Sequence, residues 1–381
     1  MRNACRLIVL VATAVAPAFV SAQTYPSTAD PRSTLKPGRF DAGTAASNMR
    51  LVSFSKKPAQ FDTGRGLTFI NSDLALGTHF AYQANFAGFT VWDISDPAKP
   101  VMASVVECIT SQGDPTIVGN LLFLSAEGGG NRNDCGKGGV QNPKDHMAGI
   151  RIFDVSNPHA PRLVKNVQTC KGSHTHTLVP SPTDKNVVYL YVSGQQMARP
   201  DSELAGCRNG DDPSDPTNSL YQLDIVKVWL DHPERSVVIP GARIFTGLDA
   251  APECRTFCAP PTPGGGRGGR GGRGRGGAPG DSANPVAIPA RTGPRNCHDV
   301  TSYPAMHLLA AACSSHAILV DISNPEKPVR LAAVTDTNNF QGRHTAAFSN
   351  DGKKTIMTDE WGGGTGQIGR ASCRERVCQY V

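Results

Sequence analysis

Aromatic residues make up only 6% of this 381-residue chain, charged residues only 18%, and the formal charge is a modest +6. With 39% hydrophobic residues, so small a net charge excludes an intrinsically disordered chain. Beyond the extreme N-terminus no long apolar run occurs, which excludes a membrane-spanning helix from the rest of the sequence. Signatures of nucleophilic and nucleotide chemistry are missing as well. No G-x-S-x-G is present, and neither Gly128-Gly129-Gly130 nor Gly362-Gly363-Gly364 opens a helix or leads into Lys-Ser/Thr. What the chain has in quantity is glycine (40) and proline (29), a composition for many short elements joined by tight turns.

Both ends stand apart from the rest. Residues 1–22 read as a secretory signal: Arg2 and Arg6 give the positive start, Leu7 to Ala16 the apolar stretch, and Val20-Ser21-Ala22 the small-residue cleavage site. The mature protein is therefore expected to be secreted, periplasmic or held at a cell surface, with residues 23–50 as an N-terminal extension. At the other end, the run IGRASCRERV (Ile368 to Val377) resembles translated sequencing-adapter DNA. Residues 368–381 are accordingly expected to be foreign, and the natural chain is expected to continue past Gln367. Setting aside the arginines of both ends, and those of the Gly-Arg stretch 264–277, leaves no basic domain, so no nucleic-acid partner is expected.

Eleven cysteines become eight once Cys5, Cys373 and Cys378 are removed with the two ends. An even number in an exported protein points to disulfides. Nearest-neighbour pairing, Cys108–Cys135, Cys170–Cys207, Cys254–Cys258 and Cys297–Cys313, would close inserted loops or tie adjacent strands. A zinc site at Cys254 and Cys258 is the weaker alternative, since no second pair lies nearby.

An internal repeat organises the middle of the chain. Gly88 to Pro100 reads GFTVWDISDPAKP, Gly149 to Pro161 GIRIFDVSNPHAP, and Ala317 to Pro328 AILVDISNPEKP. Each is an alternating strand followed by Asp and Ser, which bond local backbone, and by Pro, which fixes the reversal. Leu220 to Pro233, LYQLDIVKVWLDHP, reads as a degenerate copy marked by Asp224. Two short apolar runs precede each copy and one follows it. Four short strands per repeat is the pattern of a β-propeller blade, and the sequence holds about four and a half of them. The expected fold class is all-β, with residues 51–367 forming the propeller fragment and the Gly/Arg-rich stretch 250–295 a loop insertion.

The segments VWDISDPAKP, RIFDVSNPHAP and LVDISNPEKP, with TCKGSHTHTLV, NCHDVTSYP and TDEWGGG, resemble LVIVD-repeat secreted β-propellers. The resemblance implies the fold and carries no activity with it.

Candidate chemistry lies at the starts of the inner strands, which line the channel of a propeller. Aligning the repeats places His174, His298 and His344 at one position, with His176 two residues beyond His174; Asp299 and Asp114 lie alongside. Imidazoles converging with carboxylates suit a polar ligand, or a transition metal such as Zn, Cu or Fe. Repeated blade-opening His or Asp also serves purely structural ends. Glu127, Asp359 and Glu360 read as exposed turn carboxylates with a secondary claim as acidic ligands. Three readings follow: a scaffold for an unidentified protein or small-molecule ligand, a metal-dependent oxidative or hydrolytic enzyme, and a purely structural surface protein.

Overall fold

The computed structural model describes residues 34–38, 41–62, 70–210, 212–249, 293–314, 316–335, 343–359 and 378–380. The signal, the Cys254–Cys258 pair, most of the 250–295 insertion, Glu360 and residues 368–377 lie outside the described residues. The chain divides into residues 1–51 and 52–381. All the strands belong to the second unit.

Four antiparallel meanders of four strands follow one another. The first comprises β1 (Asn71–Leu76), β2 (Phe80–Asn85), β3 (Gly88–Asp93) and β4 (Val101–Glu107). The second comprises β5 (Pro115–Val118), β6 (Leu121–Ala126), β7 (Gly149–Asp154) and β8 (Arg162–Gln168). The third is β9 (Thr175–Pro180), β10 (Val187–Ser193), β11 (Leu223–Trp229) and β12 (Val237–Ala242). In the fourth come β13 (Asp299–Tyr303), β14 (Leu308–Cys313), β15 (His316–Asp321) and β16 (Val329–Thr335). A fifth sheet has β17 (Arg343–Phe348), β18 (Thr355–Asp359) and β19 (Cys378–Tyr380).

Side-chain packing makes these sheets propeller blades. The second strands, LLFLSA and VVYLYVS, are buried at every position because a blade covers each face. Alternate side chains then serve different neighbours. Leu122 and Leu124 of β6 pack back against Tyr82, Phe89 and Val91 of the first blade, where Phe89 and Phe153 meet edge-on at 5.0 Å. Phe123, between them, packs forward with Leu190, Val192 and Val226 of the third blade. Tyr189 and Tyr191 of β10 in turn face Leu309, Ala311 and Val320 of the fourth, and Ala310 and Ala312 face Ala346 and Met357 of the fifth. Outer strands such as β16 are covered on less of their surface and read mostly exposed. The fold is a β-propeller.

The Asp/Ser/Pro turns close each third strand for a local reason. Asp93, Asp154 and Asp321 accept the backbone N–H of Ser95, Ser156 and Ser323 at 2.9, 2.9 and 2.7 Å. The turn carbonyls are also gripped by the preceding blade: Ser104 Oγ donates to Pro158 O at 2.7 Å and the Tyr191 hydroxyl to Pro325 O at 2.8 Å. The repeat motif is thus an inter-blade fastening as well as a turn.

One register differs from the sequence reading. Asp224 does not stand where the other repeat aspartates do. Asp93, Asp154 and Asp321 pair with Phe80, Leu121 and Leu308, at the start of their second strands, and the residue so placed in the third blade is Trp229, opposite Val187. The next residues confirm it: Ile94, Val155, Leu230 and Ile322 each donate to the residue just before the second strand, at 2.8–2.9 Å. Asp224 lies five residues earlier and is buried, so its Asp-Ile match is coincidental.

Candidate functional site

In each blade the first strand begins, and the second strand ends, at the same rim of the propeller. The inserted loops 128–147 and 194–218 leave from that rim, and three disulfides gather there: Cys108–Cys135, Cys170–Cys207 and Cys297–Cys313. All three are pairs expected from nearest-neighbour spacing. The two loops are docked to each other, because Glu203 of the second lies 2.5 Å from both His146 Nδ1 of the first and Arg199 Nε.

Within this rim, three imidazoles from three successive inner strands touch. His174 stands just before β9, His298 just before β13 and His344 in β17; β13 packs between β9 and β17. Ring centroids are 4.3 Å apart for His174–His298, edge-on, and 4.0 Å for His298–His344, tilted by 36°. The two Nε2 atoms of His174 and His298 are 3.0 Å apart. His174 is buried, while His298 and His344 are partly open to solvent.

The ladder registers refine the sequence alignment of these residues. His176 pairs with Val192, and His298 precedes Asp299, which pairs with Ala312; both histidines stand level with the sixth position of their second strands. His298 is thus level with His176, not with His174. His344 is level with His174, because the N–H of Ala346, two residues on, reaches Asp299 at 3.4 Å as that of His176 reaches Asp114 at 2.8 Å. Contact between the rings comes from this stagger.

Glu127 completes the group. It directly follows β6, and its Oε1 lies 2.6 Å from His174 Nδ1, with only 14% of its side chain exposed. The expectation of an exposed turn carboxylate is overturned at this residue: its side chain lies beside Gly172 and its carboxylate is taken up by His174 of the next blade. A carboxylate facing Nδ1 calls for a proton there, which leaves Nε2 as the nitrogen turned toward His298. Burial, reinforced by the two neighbouring imidazoles, holds the His298 pKa down to about 3. The hydroxyls of Thr175 and Ser193 lie 3.2 and 3.0 Å from the carbonyl oxygen of His298 and fix its backbone.

His176 and Asp114 form a separate buried group. Nδ1 of His176 lies 2.8 Å from Ser125 Oγ and 3.4 Å from Asp114, and burial lowers its pKa to about 3. Desolvation, with Asp73 and Asp299 nearby, pushes Asp114 up to about 8. Ser, His and Asp meet here, yet both partners use the same ring nitrogen and the imidazole has no exposed side-chain surface. That geometry does not activate the serine. Asp299 takes the matching place one blade on, accepting from the Ala346 N–H and lying 3.2 Å from Thr175 Oγ1, and burial raises its pKa. Both carboxylates fasten adjacent inner strands.

Sequence reasoning passed over Lys171. Its ammonium is wholly buried, donating to Gln222 O at 2.6 Å and Arg295 O at 2.9 Å above the Phe245 ring, and burial lowers its pKa to about 8. No pattern in the sequence marks it, since its acceptors are backbone carbonyls of distant segments. Among the described residues, no group of three or more His, Cys, Asp or Glu side chains stands in metal-holding geometry: two nitrogens converge, and Nδ1 of the third ring, His344, is 2.9 Å from Thr345 Oγ1.

Comparison with known families and structures bears on the repeat and the fold. The LVIVD repeat family matches residues 71–107 and 145–169, the whole first blade and the outer half of the second. These are LVIVD repeats. No curated protein matches the chain. Solved structures similar to it include a hypothetical selenium-binding protein from Sulfolobus tokodaii (TM-score 0.44, 10% identity, 76% of this chain and 57% of that one). Another is the periplasmic gluconolactonase of Pseudomonas aeruginosa (TM-score 0.38, 13% identity, 77% and 63%). A functionally unknown protein from Desulfotomaculum acetoxidans is a third (TM-score 0.41, 11% identity, 76% and 63%). The repeat-bearing chain spans about three-fifths of the length of these proteins. Among the described residues no helix is long and apolar enough to cross a membrane.

Proposed function

We propose that this LVIVD-repeat propeller is an exported scaffold that binds a polar ligand, a small molecule or a protein side chain, at the histidine-bearing rim. The observation that carries the reading is the contact of His174, His298 and His344 from three consecutive blades, two of them partly open to solvent. Imidazole nitrogens can donate or accept, and the loops 128–147 and 194–218 leave from the same rim and dock on each other. Export rests on the signal read in residues 1–22, and three disulfides accord with an oxidising compartment. Residues 51–367 are the propeller in this reading, 23–50 an extension, 250–295 a Gly/Arg-rich loop insertion and 368–381 foreign sequence.

A specific observation favours the second reading as well, in which Zn, Cu or Fe occupies the imidazoles. Glu127 buttresses His174 as carboxylates buttress metal-bound histidines. The scaffold reading is tested by thermal-shift screening of the signal-free protein, treated with chelator, against sugar acids, dicarboxylates and amino acids. At least one compound is expected to raise Tm in the parent and in His232→Ala, an exposed control, but not in His298→Ala. Absence of any such compound, or shifts indifferent to His298, would overturn it.

A further inference from the structure

We propose that residues 52–56 are the outer strand of one further blade, which packs behind β1, and that its three inner strands come from the chain past Gln367. The inference rests on reading residues 368–381 as foreign sequence and makes no use of the histidine rim.

In the first and second blades, the fourth residue of the outer strand fastens the turn of the blade that follows. Ser104, fourth in β4, donates to Pro158 O at 2.7 Å, and Lys165, fourth in β8, donates to Glu234 O at 2.6 Å. Ser53 makes the same kind of bond to the first blade. Its Oγ donates at 3.0 Å to the carbonyl oxygen of Pro97, the counterpart of Pro158 in the repeat. The sequence agrees, since Arg50-Leu51-Val52-Ser53 matches Arg162-Leu163-Val164-Lys165 up to the fastening residue. Residues 52–56 thus stand where the outer strand of a preceding blade would stand.

The rest of that blade is missing among the described residues. No hydrogen bond joins the backbone of Val52, Phe54 or Ser55 to another described residue, and the side chains of Val52 and Phe54 belong to residues 52% and 63% exposed. An apolar strand with an open backbone edge calls for an antiparallel neighbour. The first blade is bare on the matching face. Ala75 of β1 packs toward the second blade, so Leu74 and Leu76 point the other way, and they are 53% and 63% exposed. No residue of β5 or β13, the first strands of the second and fourth blades, is exposed, because a blade lies behind each. The occupant follows from this comparison. It is a three-stranded sheet with the apolar second strand of the other blades, laid against Leu74 and Leu76, and its third strand pairs with residues 52–56.

The test compares the natural-length protein, cloned cleanly past Gln367, with the 381-residue chain, both without the signal, by hydrogen exchange, light scattering and Tm. Amides of residues 52–56 are expected to exchange about 100-fold more slowly in the natural-length protein. Phe54→Asp is expected to lower its Tm by about 5 °C or more and to leave the shorter chain unchanged; Phe54→Ser serves if the Asp variant fails to fold. Equal exchange in the two folded proteins, or a Phe54 variant that shifts both alike or neither, overturns the proposal and leaves the reading of the foreign tail standing. If the shorter chain does not fold, residues 52–56 of the natural-length protein are read against β4, and exchange much faster than that of β4 overturns the proposal. A clean clone that encodes the same residues 368–381 and then stops overturns both. Protection in the shorter chain that vanishes on dilution, with a dimer by light scattering, assigns the edge to a second copy and overturns the further blade.

Discussion

Lys171 gives the rim a pH dependence that can be worked out in advance. Its ammonium is wholly buried, and its folded pKa of about 8 lies below the 10.5 of an ordinary lysine. Between those values the unfolded chain holds a proton that the folded chain does not, so stability rises with pH. From pH 8 to 9.5 the rise amounts to about 1.5 kcal/mol, at 1.36 kcal/mol per unit with both ends of the range partly titrated. Two sets of groups oppose this rise in part. Asp114, pushed up to about 8, gives up its last roughly 0.4 kcal/mol as the window opens, and Tyr82, Tyr189 and Tyr191, held by burial above the ordinary tyrosine value, begin to lose their contribution near its upper end. Asp224, the carboxylate facing Lys171, is pushed up by burial, and the lysine's charge opposes that shift. Urea unfolding at half-unit pH steps measures the slope. Lys171→Met keeps the apolar stem and removes the charge; it is expected to lower stability overall, by stranding the carbonyls of Gln222 and Arg295, and to flatten the curve. A flat parent curve, or an undiminished slope in Lys171→Met, would refute the argument.

Two further expectations concern the same region. Cys170–Cys207 closes a loop of 37 residues, so the double change to serine should cost about 4 kcal/mol by the chain-entropy account; urea midpoints that move by less than a quarter of that would show the loop to be held by other contacts. Asp114, with its pKa raised to about 8, stabilises the fold at low pH and loses that contribution as pH climbs to 8, while the depressed pKa of His176 offsets it below pH 6.5. His298 and Lys171 oppose it in the same way, so stability should fall by only about 0.5 kcal/mol between pH 6.5 and 8, and Asp114→Asn should turn the fall into a rise; a parent curve no lower at pH 8 than at 6.5 contradicts it.

Much of the architecture was legible in the sequence because it is local. Alternating strands, Asp/Ser/Pro turns and apolar runs follow from the preferences of adjacent residues, and the three disulfides described each join a cysteine to the next one along the chain. What escaped depends on contacts between distant segments. Glu127 looks like a turn residue until His174 arrives from the next blade. Lys171 and Arg151 are buried cations held largely by backbone carbonyls, which no side-chain pattern announces. Asp224 shows the opposite failing. An Asp-Ile pair copied the motif by chance, and only the ladder register, with Trp229 opposite Val187, separates the two. The same register moves His298 level with His176 and explains why rings from neighbouring blades touch.

The account stands or falls on that contact. Nuclear Overhauser measurements on histidine-labelled protein, assigned with single His→Ala variants, read it directly. Ring protons of His298 should show cross-peaks to those of both His174 and His344, given centroids 4.3 and 4.0 Å away. Three histidine spin systems with no cross-peaks among them, in protein that remains folded, would contradict the proposed rim.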